Sequence, residues 1–148
     1  MRIVLQRVKK ASVAIEGRVA GAIGPGICLL VGIEKGDTPQ DAEALARKAV
    51  DLRIFPDAAG KMNLSLADAG GEVLAVSQFT LAGSVNKGRR PSFDGAEHPQ
   101  LAAPLFDHFV NTVRAAGFKV ETGVFQALMD VDILNDGPVT FILDSKAK

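Results

Sequence analysis

The residues of this chain that could do chemistry lie in three short segments. The segment Ser77–Leu81 reads SQFTL and carries two hydroxyl groups and a carboxamide. A basic cluster, formed by Lys87, Arg89 and Arg90, follows in the segment NKGRRPSF. Near the end of the chain, Asn135–Val139 reads NDGPV, with a proline directly after a glycine. Hydroxyl groups can attack or position water, and clustered cations can bind phosphates. A proline after a glycine removes a backbone donor at the start of a strand, which indicates either a simple turn or a backbone shaped for a function.

Nucleophilic catalysis in SQFTL would require a histidine and an acid beside one of the hydroxyl groups. The chain has two histidines, His98 and His108, and neither lies where it would be expected to activate Thr80. If the segment is a strand, Ser77 and Thr80 point to opposite faces, and Gln78 shares the face of Thr80. The pattern therefore supports a nucleophile weakly, and a strand end that reaches solvent explains it equally well.

Metal and thiol chemistry find little support. The single cysteine, Cys28, lies in the apolar run GICLLVGI and is expected to be a buried core thiol rather than a nucleophile. Neither it nor the two histidines show the spacing of a zinc site. The glycine-rich GAIGPG lies between predicted strands and lacks the Lys-Ser/Thr ending of a phosphate-binding loop. It is interpreted as a hairpin turn. We therefore expect no metal and no cofactor.

The basic cluster lies in 82–98, the longest segment without a clear periodic pattern. Long loops inside a compact domain are often functional. Because the formal net charge of the chain is zero, nucleic acid would have to bind a local patch such as this one. The alternative is a solvated, charged loop tip.

Strands dominate the elements that must position these segments. Residues 1–15 alternate between apolar and polar types, residues 27–33 are almost continuously apolar, and residues 72–81 form another strong strand pattern. The last part of the chain, 118–143, also reads as strands. We predict an α+β fold with a curved, mostly antiparallel, barrel-like sheet whose first and last strands could pair.

Two main helices are predicted beside this sheet. Thr38 can cap the first, with Pro39 at its first position, and the second covers roughly 99–116 with Pro104 near its start. With 47% hydrophobic and 23% charged residues, residues 1–148 are expected to form a single globular domain. No apolar run approaches the roughly 20 residues needed to span a bilayer. No signal peptide is evident, and we expect a cytoplasmic protein with no membrane partner.

Two motifs together make the chain resemble the D-aminoacyl-tRNA deacylases, the D-tyrosyl-tRNA deacylase family. They are SQFTL at Ser77–Leu81 and NDGPVT at Asn135–Thr140. The segments KMNLSL, GRRPSF and GVFQALMDV fit the layout of that family in the same order, so the resemblance covers nearly the whole chain. It implies an enzyme that hydrolyses the ester between a D-amino acid and the 3′ end of tRNA. It also implies a homodimer with an active site at each end of the interface.

The resemblance further implies a cis Gly137–Pro138 bond that each protomer inserts into the pocket of its partner. The carbonyl oxygens of Gly137 and Pro138 would bind the substrate α-amino group and fill the space of an L side chain. Met129 would contribute to the substrate pocket. Because glycine has no side chain to clash, we expect cleavage of glycyl-tRNA too, including glycine mischarged on tRNA(Ala).

Two catalytic mechanisms remain open at this point. Thr80 could act as a nucleophile or position water. Alternatively, backbone N–H groups near Phe79 and Thr80 could form an oxyanion hole, assisted by the terminal ribose 2′-hydroxyl, and the resemblance favours this second mechanism. Gln78 and Phe79 would then shape the pocket, with Ser77 and Gln78 counted beside Thr80 and the Phe79 amide as catalytic residues. The basic cluster would hold phosphates of the acceptor end. The rival functions are a non-catalytic dimeric module that binds RNA or a small ligand, and an editing appendage of a synthetase.

Overall fold

A six-stranded mixed sheet and two long helices form the structure, a computed structural model that describes residues 1–147. The strands are β1 (Arg2–Ile15), β2 (Arg18–Ile23), β3 (Gly26–Gly32), β4 (Phe55–Pro56), β5 (Met62–Leu64), β6 (Glu72–Ser77), β7 (Val120–Thr122) and β8 (Asp130–Asp144). The helices are α1 (Pro39–Asp51), the single-turn α2 (Leu66–Ala69) and α3 (Pro99–Ala115), and a 3₁₀ helix covers Phe79–Ala82. The predicted α+β class is confirmed.

Strand β1 is paired along both of its edges. On one edge β8 runs antiparallel to it from Arg2 to Ala14, which confirms the predicted pairing of the first and last strands. On the other edge β2 and then β3 follow one another, separated by Gly24 and Pro25. The interpretation of GAIGPG as a hairpin turn was therefore wrong, because β2 and β3 pair with β1 and not with each other.

The sheet curls until its two ends almost meet. Strands β3, β6 and β7 pair in parallel, and all pairings of β1 are antiparallel. A Cβ atom placed on Gly21 of β2 would lie 2.8 Å from the carbonyl oxygen of Thr122 in β7. Only a residue without a side chain allows these strands to approach so closely. The sheet is therefore nearly closed, as the barrel-like prediction required.

The two long helices cover one face of the sheet. Thr38 and Asp41 form a capping box at the start of α1, and Pro99 and the internal Pro104 both lie in the first half of α3. The buried residues of each helix recur at helical spacing, and Leu105 of α3 is only half-buried. The buried residues of the two helices are Ala42, Leu45, Ala46, Ala49, Val50, Ala102, Phe106, Phe109, Val110 and Val113. Among residues 1–147, no helix is long and apolar enough to cross a membrane.

Strand β6 is shorter than predicted. It ends at Ser77, its last partner in β3 being Val31, and the chain then turns into the 3₁₀ helix rather than continuing to Leu81. The turn fits because a Cβ atom on Gly32 would lie 2.9 Å from Cβ of Leu81, so the two segments pack closely only at a glycine. Gln78 and Thr80 consequently do not lie on a strand face, and the predicted alternation was wrong there.

Candidate active site

A pocket of about 530 Å³ opens at the carboxyl end of β6. Ser77, Gln78 and Phe79 form one side of it, and the loop between β7 and β8 forms the other. The remaining lining residues are largely apolar: Val31, Ile33, Val76, Glu97, Pro99, Ala102, Phe125, Gln126, Ala127, Leu128, Met129 and Val131. This volume and character are typical of sites for small organic groups, and SQF and Met129 line the same pocket.

The backbone beside the pocket presents two free donors. Gln78 is fixed by its N–H, which donates to the carbonyl of Val31 at 2.8 Å, and by its own carbonyl, which accepts from Leu81 N–H at 3.2 Å. The next two amides, of Phe79 and Thr80, come before the first internal hydrogen bond of the 3₁₀ helix. Within residues 1–147 neither amide has an acceptor. Adjacent free N–H groups at the edge of a pocket can stabilise a developing oxyanion.

The hydroxyl group of Thr80 does not carry the marks of a nucleophile. Gln78 donates a hydrogen bond from Nε2 to Thr80 Oγ1 over 2.5 Å. In the described part of the chain, no histidine or carboxylate is bonded to that hydroxyl, so no general base is positioned to remove its proton. Of the two predicted mechanisms, the geometry favours the one that depends on backbone groups.

The loop between β7 and β8 holds Met129 against the pocket. The N–H of Ala127 donates to the carbonyl of Val124 at 3.1 Å, and Gln126 adopts a φ of 65°, so these residues form a tight turn. A side chain on Gly123 would collide with the sulfur of Met129. Gly123 is therefore needed for Met129 to lie where it does, packed on the second hydrophobic cluster and facing the pocket.

The Gly137–Pro138 segment lies in a bulge of β8. One residue of β1, Arg7, stands opposite four residues of β8, Asp136–Val139, between the pairs Gln6–Thr140 and Val8–Asn135. The Gly137–Pro138 bond is cis, as the resemblance implied. Both residues are exposed. Neither lines the pocket of its own chain within the described residues, so one chain holds the two halves of the predicted site apart.

The sequence analysis did not identify Arg7 as a residue that supports this bulge. Its side chain is nearly buried, and Nη1 donates to the carbonyl of Ile54 at 2.7 Å. Nε lies 3.3 Å from the carbonyl oxygen of Asp136 and 3.1 Å from its carboxylate. A signal was available, because Arg7 continues the inward alternation of Ile3 and Leu5 and so places a charge where an apolar residue was expected.

The basic cluster lies at the tip of a hairpin that begins next to the pocket. Ser84 and Ser92 exchange two backbone hydrogen bonds of 2.7 and 2.9 Å, which close the hairpin. All members of the cluster are exposed, and over residues 1–147 none of them forms an ion pair: Lys87, Arg89 and Arg90. At the base of the hairpin, the ring of Phe93 packs edge-on against Phe79 with centroids 5.2 Å apart. Phe93 was not singled out from the sequence, although it ends the segment GRRPSF.

Neither His108 nor Cys28 lines the pocket within the described residues. His108 lies partly exposed on α3, and its Nε2 is 2.9 Å from Glu43 Oε1 in α1. Cys28 is buried in β3, and burial raises the pKa of its thiol to about 12. At neutral pH this thiol is protonated, so it is a poor nucleophile.

Comparison with known proteins gives a consistent result. The family described as D-Tyr-tRNA(Tyr) deacylase matches residues 4–144. A D-aminoacyl-tRNA deacylase of Koribacter versatilis (strain Ellin345) is 57% identical over 146 residues, which cover 99% of this chain and 98% of that protein. The D-aminoacyl-tRNA deacylase of Bacillus velezensis is 58% identical over 146 residues, which cover 99% of each protein.

Solved structures agree. The chain is similar to the c-Myc DNA Unwinding Element Binding Protein with a TM-score of 0.93 and 42% identity, covering 99% of this chain and 100% of that one. A structure described as a probable eukaryotic D-amino acid tRNA deacylase gives a TM-score of 0.81 over 96% of this chain and 97% of the other. At 18% identity, this second likeness concerns the fold alone.

Proposed function

The chain belongs to the D-Tyr-tRNA(Tyr) deacylase family, a family of aminoacyl-tRNA ester hydrolases, and from this membership we propose that it hydrolyses D-aminoacyl-tRNA to free D-amino acid and tRNA. The observation that carries the proposal is a pair of amide N–H groups, of Phe79 and Thr80, that have no acceptor within residues 1–147 and lie beside a pocket of about 530 Å³. An ester needs only a water molecule and a group that stabilises the tetrahedral oxyanion.

The chemical step requires no nucleophilic side chain. Water attacks the ester carbonyl carbon, and the amides of Phe79 and Thr80 donate to the oxygen that becomes negative. The bond to the ribose 3′-oxygen then breaks, and that oxygen takes the proton that water loses, with the neighbouring 2′-hydroxyl as relay. Thr80 Oγ1, held by Gln78, orients groups rather than attacking.

We assign the discrimination between D- and L-amino acids to a second copy of the chain. Gly137 and Pro138 lie exposed in the bulge of β8, and neither lines the pocket of its own chain within the described residues. Arg7 contacts the bulge through Asp136. Inserted into the pocket of a partner, their carbonyl oxygens would accept from the substrate α-amino group and occupy the position of an L side chain. Around the bulge, β8 exposes the apolar residues Leu134, Phe141 and Ile142, which suits a face that a second copy covers.

Main-chain atoms in this position would recognise the configuration at the substrate α-carbon, and they would not distinguish one side chain from another. Many D-amino acids would therefore be accepted, and L-amino acids rejected. Glycine presents only a hydrogen atom toward the wall, so the proposal extends to glycyl-tRNA, including glycine mischarged on tRNA(Ala). Absence of glycine release, at an enzyme concentration that clears a D-aminoacyl ester, would remove this extension.

The decisive experiment compares one tRNA charged with a D-amino acid and with its L enantiomer. Release of the D-amino acid alone supports the proposal. Binding of both tRNAs without release would support the rival, a non-catalytic RNA-binding module. Release of both at similar rates would contradict the proposed discrimination between D- and L-amino acids, but it would still support ester hydrolysis.

Mixed dimers test whether two copies share each site. One chain carries Gly137→Val in the exposed loop, and the other carries Met129→Arg in the lining of the pocket. In a shared arrangement the heterodimer contains one intact pair of loop and pocket, so it regains activity that neither homodimer has. If each site lay within one chain, every site in the heterodimer would remain defective.

A further inference from the structure

The carbonyl group of Leu81, near the end of the 3₁₀ helix, has no backbone donor within residues 1–147. The preceding carbonyl, of Thr80, accepts from the N–H of Gly83 at 3.0 Å. If the helix continued, the N–H of Ser84 would donate to Leu81, but it donates to the carbonyl of Ser92 at 2.7 Å instead. The carbonyl of Leu81 therefore needs a donor from another part of the fold.

Arg2, the first residue of β1, supplies that donor. Its Nη1 donates to the carbonyl oxygen of Leu81 at 3.1 Å. Its Nη2 lies 3.4 Å from Asp144 Oδ2 and 3.6 Å from Glu34 Oε1. One guanidinium group thus joins three segments that are far apart in the sequence. The planar guanidinium presents several donors in fixed directions, whereas the ammonium group of a lysine is a single point charge.

Two carboxylates orient the guanidinium group. Asp144 stands directly opposite Arg2 where β8 pairs with β1, and oppositely charged residues in this relation attract each other. The backbone N–H of Lys146, which donates to Asp144 Oδ1 at 2.8 Å, and the bond from Arg2 both lower the pKa of Asp144. The side chain of Glu34 is only 12% exposed. Arg2 is therefore directed toward Leu81 by negative charges that are present at neutral pH.

The amides of Phe79 and Thr80 lie between two fixed points. Before them, Gln78 is bonded to β3 through its N–H, and after them the carbonyl of Leu81 is bonded to Arg2. A helix of four residues has too few internal hydrogen bonds to fix its own direction. Donors that stabilise an oxyanion must point at it, and a displacement of about 1 Å can cost about 100-fold in rate.

We propose that Arg2 is a positioning residue for the deacylation, because its bond to the carbonyl of Leu81 fixes the direction of the amides of Phe79 and Thr80. This role rests on the proposed function and deepens it. Arg2 does not line the pocket within residues 1–147, so it touches neither the substrate nor the reacting atoms. Its removal should weaken binding of the transition state and leave binding of the substrate unchanged.

The first test separates kcat from KM. Arg2→Met keeps the length of the side chain but removes all its donors. With D-aminoacyl-tRNA we expect kcat to fall about tenfold or more, while KM stays within about twofold of the wild type. Arg2→Lys keeps one charged donor and should recover part of the loss. The matched control is Arg18→Met, at an exposed arginine of β2, which should hydrolyse the substrate as the wild type does.

Two analogues of the charged tRNA end distinguish positioning from a general loss of structure. A phosphonate in place of the ester resembles the tetrahedral intermediate, and an amide in its place resembles the intact substrate. Arg2→Met should bind the phosphonate about tenfold more weakly and the amide as tightly as the wild type does. Equal loss of affinity for both analogues would overturn the positioning role and make Arg2 a structural residue only.

A spectroscopic measurement on the protein without substrate completes the test. The ¹⁵N–¹H resonances of the Phe79 and Thr80 amides should shift in Arg2→Met and not in Arg18→Met. Asp144→Asn keeps Arg2 but removes the charge opposite it, so it should change kcat and both resonances in the same direction by a smaller amount. This second variant provides the test if Arg2→Met does not fold.

The outcomes distinguish the role of Arg2 from the proposed function. If Arg2→Met keeps the wild-type kcat and the wild-type resonances of Phe79 and Thr80, Arg2 does not position these amides. If the wild type releases no D-amino acid although the resonances shift in Arg2→Met, the proposed function is wrong and the link between Arg2 and the 3₁₀ helix remains.

Discussion

The guanidinium group of Arg7 holds Asp136 at two points, its carbonyl oxygen at 3.3 Å and its carboxylate at 3.1 Å from Nε. A third contact, from Nη1 to the carbonyl of Ile54 at 2.7 Å, anchors the same side chain to the interior. A planar group with five donors can satisfy all three acceptors at once, which lysine cannot do. Arg7 thus connects the Gly137–Pro138 bulge to the core.

Replacing Arg7 should separate the bulge from its support. For Arg7→Met, which keeps the length of the side chain, we expect a loss of about 2 kcal/mol in the free energy of unfolding, since buried acceptors lose a charged donor. Discrimination between D- and L-aminoacyl-tRNA should fall as well. Arg7→Lys should lie between Met and the wild type in both denaturant unfolding and the ratio of D to L rates. Unchanged discrimination in Arg7→Met would show that the bulge keeps its shape unaided.

Removing the hydroxyl of Thr80 should leave most of the activity. If backbone amides stabilise the oxyanion, Thr80→Ala should keep kcat within about tenfold of the wild type, whereas loss of a true nucleophile costs far more. A substrate whose terminal ribose lacks the 2′-hydroxyl should lose about 100-fold or more, the usual size of a proton-transfer contribution. Single-turnover rates measure both. If the rate fell as much in Thr80→Ala as with the deoxy substrate, the hydroxyl group of Thr80 would have a central catalytic role.

A methyl group on Gly137 should impair the reaction without harming the fold. The added Cβ would lie 3.2 Å from Nδ2 of Asn135, an exposed side chain that can shift. We expect a melting temperature within about 2 °C of the wild type and a decrease of about 100-fold in D-aminoacyl-tRNA hydrolysis, typical of a displaced substrate. Glycyl-tRNA hydrolysis should decrease in parallel. Hydrolysis of D-aminoacyl-tRNA at the wild-type rate would mean that Gly137 does not contact the substrate.

The basic cluster should control the salt dependence of tRNA binding. Neutralising Lys87, Arg89 and Arg90 together with glutamine should reduce the slope of log affinity against log salt by about 2, since each contact to a single strand contributes about 0.7. The control variant neutralises three exposed cations elsewhere, Arg18, Lys48 and Lys61. An equal loss of slope in both variants would mean that only the overall charge matters.

Cys28 should be inert. Because burial raises the pKa of its thiol to about 12, the thiolate is scarce at every pH below that value. A thiol-specific reagent at pH 8 should not react with the native protein but should react with the unfolded chain. Cys28→Ala should cost about 1 kcal/mol of stability and leave kcat unchanged. Rapid labelling of the native protein, with loss of activity, would contradict the placement of this residue in the core.

The sequence allowed the framework to be predicted where local rules decide the structure. The cap of α1 at Thr38 and the pairing of the first and last strands follow from such rules. It did not allow the end of β6 to be predicted, because SQFTL alternates as a strand does. That strand stops for a tertiary reason, the close packing of Leu81 against Gly32.

The site was predictable only in part for a similar reason. Short motifs placed SQF and Met129 in one pocket, but the free amides depend on a turn that no local pattern announced. Arg7 and Phe93 contact residues that are not their sequence neighbours, Asp136 and Phe79. Such partners are found by geometry, since no periodicity links them.

The pairing of β8 with β1 also sets the order in which the protein can be built. The contact that braces the bulge, between Arg7 and Asp136, closes over 129 residues, so nearly the whole chain must leave the ribosome first. Contacts of such long range form late, because the entropy of closing the chain is lost before they stabilise it. A nascent chain can therefore contain β1, β2 and β3 before the Gly137–Pro138 bulge has been synthesised. The Gly137–Pro138 bulge, which we propose to discriminate between D- and L-aminoacyl-tRNA, is therefore among the last parts of the protein that the ribosome makes.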